Sequence, residues 1–190
     1  MIQALRFIHS IGNEFTRRMP VRIAVRTDES IVFHIEKLIV TGTGKEPSVL
    51  DFKPGLNIVS GPSDTGKSYV LECIDYLFGS DNTRLDKNTG YDWVKLIIAT
   101  DTGRITLERQ LDAKKIRVNS TARNIDSGTY AISGKNNNIS DLWLQLIGIT
   151  KDHHIIKNSR FERQRLTWRT FSHMLLIKET NVFQEPSIIM

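Results

Sequence analysis

The stretch LNIVSGPSDTGKSYVLECI, Leu56 to Ile74, narrows the folds open to this chain more than any other feature. It sets Gly61, Gly66, Lys67 and Ser68 in the spacing GxxxxGK[ST], between an apolar run and an amphipathic one. Glycines let the backbone curl so that successive N–H groups converge on one point, and a helix starting there turns its positive end to the same point. A chain of phosphates is the ligand such a loop fits. After Lys67, the residues Val70, Cys73, Ile74, Leu77 and Phe78 recur at helical spacing, which predicts a helix buried along one face, with Gly79 as its stop.

Read this way, Gly61, Pro62, Ser63, Asp64, Thr65, Gly66, Lys67, Ser68 and Tyr69 form a nucleotide-binding loop and the first turn behind it. Lys67 is the expected catalytic cation, reaching the β- and γ-phosphates, and the Ser68 hydroxyl is the expected ligand of Mg²⁺. The expected cofactors are ATP and Mg²⁺. Neither an NKxD nor a DxxG motif follows the loop, which disfavours guanine specificity. An acidic residue on a buried strand is needed to hold the metal and position water in a full ATPase. The nearest, Asp101, stands in Asp101-Thr102-Gly103, the composition of a hairpin turn, and reads better as part of that turn. His153 and His154 are adjacent, so on a strand they point to opposite faces and do not make a metal site.

Around the loop the periodicity predicts an α/β chain. Residues 1–30 form an N-terminal arm, helical at Leu5, Ile8 and Ile11 and closed by Pro20. IVFHIEKLIV, SVLDF and GLNIVS are expected as three short strands parted by the turn sequences TGTGKEP and KPG. Ser80 to Gly90 is a polar loop. YDWVKLIIAT and RITLERQL then form a hairpin, with KIRVNS and TYAISG as further strands, so that antiparallel strands fill about 91–133. NISDLWLQLIGI is expected as a helix capped by Ser140 or Asp141, opening a helical region that runs from about 140 to 190.

With 190 residues, 39% of them hydrophobic, the chain can bury one substantial core. Its net charge of +5 favours a polyanionic partner weakly, and Arg17, Arg18, Arg22 and Arg26 are as readily a solvated face as a phosphate-binding one. A single cysteine, Cys73, leaves no internal disulfide and fits a reducing compartment. Arg6, His9 and Asn13 interrupt the apolar N-terminus, which does not read as a secretory signal, and no run of uncharged apolar residues is long enough to span a bilayer. A cytoplasmic protein without a membrane segment is expected.

The order of elements, with KPGLNIVSGPSDTGKSYVLECIDYLFGS followed by an antiparallel hairpin carrying LERQL, resembles the N-terminal lobe of ABC-type ATPases of the structural maintenance of chromosomes and RecN/SbcC class. The resemblance covers Ile31 to Leu111, and more loosely Trp168 to Gln184. It implies a P-loop NTPase lobe with an antiparallel β-subdomain over 31–190, incomplete without a C-terminal lobe. That missing lobe or a partner chain would supply the signature motif, the acidic Walker B strand and the switch histidine, none of which occurs in this sequence. The resemblance also implies a homodimer through ATP and DNA as the substrate, in repair, chromosome maintenance or defence. Its Q-loop glutamine falls near LLIKETNVFQ: either Gln184 fills that role or Lys178 or Glu179 occupies the position. Ser63 stands where the family usually has Asn, and Tyr69 where Ser or Thr is common. The expectation is thus a lobe that binds ATP and hydrolyses it only when completed. The alternative is a non-catalytic regulatory or interaction protein that binds nucleotide. A small-molecule kinase is disfavoured, because a hairpin follows the first helix where a parallel βα unit is needed.

Overall fold

The computed structural model describes residues 32–62, 66–81, 87–134, 136–149, 153–156 and 160–175. The arm expected over 1–30, with its four arginines, lies outside the described residues, as do Ser63, Asp64 and Thr65 and the candidates Lys178, Glu179 and Gln184.

Six strands make one antiparallel sheet: β1 (Phe33–Thr41), β2 (Ser48–Asp51), β3 (Trp93–Thr100), β4 (Arg104–Gln110), β5 (Lys115–Ser120) and β6 (Gly128–Ala131), in the order β2-β1-β3-β4-β5-β6. Alternation sets which face is buried. Val94, Leu96 and Ile98 of β3, Ile105 and Leu107 of β4, and Ile116 and Val118 of β5 turn one way into the core. Lys95, Glu108 and Arg117 lie side by side in register on the other face, where Lys95 and Glu108 pair at 2.6 Å. The ladder slips between Ile35 and Lys37. At that bulge the Glu36 carbonyl accepts from Phe52 N–H at 2.8 Å, and its carboxylate takes both Nε and Nη2 of Arg104. The Asp101 turn closes β3 to β4, with Thr100 N–H donating to the Gly103 carbonyl at 2.8 Å.

Helix α1 (Lys67–Leu77) packs on β3 and β4 through Cys73, Ile74, Tyr76 and Leu77. Helix α2 (Ile139–Leu146) adds Leu142, Trp143, Leu144 and Leu146 to the same core. Its cap is Asn138 rather than Ser140 or Asp141: the Asn138 Oδ1 accepts from Ser140 N–H at 2.8 Å. Ser140 and Asp141 instead face the later segments Trp168–Leu175 and Arg163–Arg165. The Ser140 hydroxyl accepts from Trp168 N–H at 2.6 Å, and the Asp141 carboxylate accepts from Arg165 at 2.8 Å.

Two expectations are corrected. GLNIVS is not a strand: Leu56–Ser60 carries no ladder among the described residues, and Leu56 and Ile58 are 87% and 79% exposed. A strand exists only by pairing, and the neighbouring edge, β2, ends its ladder at Asp51. The region from 140 onward is not uniformly helical either. A two-stranded ladder, β7 (His154–Ile156) with β8 (Arg163–Arg165), separates α2 from α3 (Trp168–Leu175).

Candidate functional site

The described part of the loop consists of Gly61 and Pro62 on one side and Gly66, Lys67, Ser68 and Tyr69 on the other. Gly66 sits in the left-handed region, φ 82° and ψ 11°, which a residue with a Cβ adopts only at a cost of about 1–2 kcal/mol. From there the chain enters α1, with Tyr69 N–H donating back to the Gly66 carbonyl at 3.0 Å. The N-cap is a glycine and no side-chain cap bond is made among the described residues, so the first turn presents the positive helix end to the loop. The Lys67 ammonium folds back over the loop, donating to the Gly61 carbonyl at 2.9 Å and to the Pro62 carbonyl. One cation, the open helix end and the exposed Ser68 hydroxyl therefore share one rim, an arrangement that fits a Mg²⁺-bound polyphosphate.

The helix behind this rim is fixed at its far end. Gly79, φ 96°, donates to the Tyr76 carbonyl, and Ser80 N–H donates to the Asp75 carbonyl, a Schellman ending at the glycine. A Cβ on Gly79 would come within 2.8 Å of Ile139 Cγ2, so the glycine also lets α1 and α2 approach. Arg109, 1% exposed, donates from Nη1 to the Tyr76 carbonyl at 2.5 Å and the Ser80 carbonyl at 2.7 Å, and from Nε to the Ala113 carbonyl at 2.9 Å. Its guanidinium carbon lies 3.6 Å from the centre of the Tyr76 ring. Burial pulls the Arg109 pKa down, and the same burial raises that of Tyr76. A cation at the negative end of α1, bonded to its last carbonyls, ties the P-loop helix to the sheet.

On its other side α1 is tied to α3. The Asp75 carboxylate accepts from Arg169 at 2.5 Å, and Phe78 packs edge-on against Trp143 and Trp168, whose rings stack 5.6 Å apart. Both indole N–H groups are buried without a hydrogen-bond partner among the described residues.

Of the residues singled out in the sequence, Gly61, Pro62, Gly66, Lys67, Ser68 and Tyr69 come together at this rim. Asp101 does not join them; it lies in the β3–β4 turn, and its N–H donates to the Val32 carbonyl at 3.1 Å. Arg109 was missed, although it carried a signal: in RITLERQ it falls on the same alternation as Ile105 and Leu107, a charge on the buried face. The Asp75–Arg169 pair spans 94 residues of sequence and leaves no local signal. A separate cavity of about 170 Å³ between the β5–β6 turn and α2 is lined by Asp126, Tyr130, Asn138, Asp141 and Gln145 among others, and by none of the loop residues. Its Asn138 and Asp141 are engaged in the cap and the Arg165 pair, so the cavity is a seam of the fold.

The model of a family described as an AAA domain matches residues 42–182. The chain belongs to that family, which makes it a P-loop protein of the nucleotide-binding, ATPase-like kind; the family generally binds ATP with Mg²⁺. No curated protein matches the chain. No helix among the described residues is long and apolar enough to cross a membrane.

Proposed function

We propose that this AAA-domain chain is the Mg²⁺-ATP-binding N-terminal lobe of an ABC-type ATPase of the structural maintenance of chromosomes and SbcC class, acting on DNA, and that it is a half-site. The observation that carries the half-site reading is the segment entering the loop. Leu56, Ile58 and Val59 are exposed along a backbone that pairs with no strand among the described residues, the composition of a strand meant to be covered on both faces. Covering Leu56 and Ile58 would be worth about 1.5–3 kcal/mol each, a gain that nothing within the described lobe realises. A complementary lobe would supply the neighbouring strands and with them the acidic residue that Asp101 does not provide; a second copy joined through ATP would cover the loop without adding that residue.

In the lone lobe the residues present bind and orient. Bound Mg²⁺ would neutralise phosphate charge; Ser68 would hold it, Lys67 would redirect its donors from the Gly61 and Pro62 carbonyls to terminal phosphates lying beside those residues, and the open end of α1 would take the rest. Positioning of water is left to the missing half. A nucleotide-binding regulator without turnover is the second reading, favoured by the place of Asp101 in a hairpin turn. The test is steady-state phosphate release by the lone chain with excess Mg²⁺-ATP. Binding without turnover, and turnover once a complementary lobe is added, is the expected result. Steady hydrolysis by the lone chain that disappears in Lys67→Ala would contradict the half-site.

A further inference from the structure

Tyr69 is a large aromatic side chain left 45% exposed in the first turn of α1, directly after the residue expected to hold the metal. Its hydroxyl has no hydrogen-bond partner among the described residues. Helical side chains lean toward the N-terminus, and here the lean is visible: Tyr69 Cδ2 lies 3.8 Å from the point where a Cβ on Gly66 would stand. The ring therefore stands beside the last glycine of the loop, while the Lys67 ammonium reaches to the first two residues, Gly61 and Pro62.

These two placements orient a ligand. The lysine of such a loop meets the terminal phosphates, so a triphosphate lies with its γ end toward Gly61 and Pro62 and its nucleoside end toward Gly66. We propose that the Tyr69 ring forms a wall against the nucleoside half of the ligand, making this loop discriminate a nucleoside triphosphate from a bare polyphosphate. This rests on the nucleotide reading above. The contact is with the ring face, and the hydroxyl is not required.

The test compares Mg²⁺-ATP and Mg²⁺-tripolyphosphate by calorimetry on the wild-type chain, Tyr69→Ala, Tyr69→Phe and Lys67→Ala, with thermal melting as the control for folding. Loss of an aromatic platform should weaken ATP about tenfold in Tyr69→Ala. Tripolyphosphate affinity should stay unchanged in the same variant, and Tyr69→Phe should bind both as wild type does. Equal loss of both ligands in Tyr69→Ala, no loss of either, or an affinity for ATP in Tyr69→Phe as poor as in Tyr69→Ala would each overturn the assignment. If the wild-type chain bound neither ligand, or Lys67→Ala bound both as tightly as wild type, the nucleotide reading would fall first and the wall with it.

Discussion

Cys73 lies in the second turn of α1, 2% exposed, and burial, with Glu72 adding to it, pushes its thiol up to about 12. The thiolate is the reactive form, so the residue acts as a small apolar side chain. The folded protein should resist an aromatic disulfide reagent at pH 8 and react fully in denaturant. Prompt labelling of the native chain would contradict this burial. The sign of the pH effect follows from the same shift. Because the folded pKa lies above the ordinary value of 9.0, the contribution of Cys73 is intact below 9.0 and is lost as the pH rises toward about 12, where the unfolded thiol ionises first. Residues of this kind are legible in sequence as members of an apolar stripe. Tyr69 was legible only as a letter unusual at its position, since the side on which its ring lies depends on the left-handed turn at Gly66.

At the scale of elements, periodicity was a good guide wherever a segment both carried a pattern and had a neighbour to satisfy it. WVKLIIAT, RITLERQ and KIRVNS became β3, β4 and β5, and the stripe from Val70 to Phe78 became α1 with its end at Gly79. GLNIVS shows where the guide ends. Its pattern is that of a strand, but pairing is a property of two segments, and one segment read alone does not contain it. The short β7–β8 ladder was missed for the related reason that three residues per strand are too few to show a period. The cap, Asn138, stands two or three positions before the expected Ser140 or Asp141, in a run of neighbouring residues that can all accept from a backbone N–H. Arg109 joins elements that periodicity treats separately. Replacing it in Arg109→Met would leave the carbonyls of Tyr76, Ser80 and Ala113 without this donor inside the fold. The expected cost is about 2–4 kcal/mol in urea unfolding, with nucleotide affinity falling as α1 loosens. A change below about 0.5 kcal/mol would show that the guanidinium does not hold the helix.

For the molecule as a whole, the features form a gradient. From β3, β4 and β5 through Arg109 and Gly79 to the far end of α1, the inward-facing apolar side chains are covered, and among the described residues the buried polar side chains find partners apart from the two indole N–H groups. Toward the loop, the same helix begins at a glycine with no side-chain cap among the described residues, beside a lysine turned onto backbone carbonyls and an exposed apolar segment. A fold satisfied at one end and open at the other is arranged to bind something at the open end, and the chemistry there is that of a phosphate site. Calorimetric titration of Mg²⁺-ATP into the wild-type chain and into Lys67→Ala tests this most directly. Saturable one-to-one binding per lobe is expected, weakened at least tenfold in the variant by loss of a charge-assisted contact. No heat of binding in the wild-type chain, or equal affinity in Lys67→Ala, would contradict it.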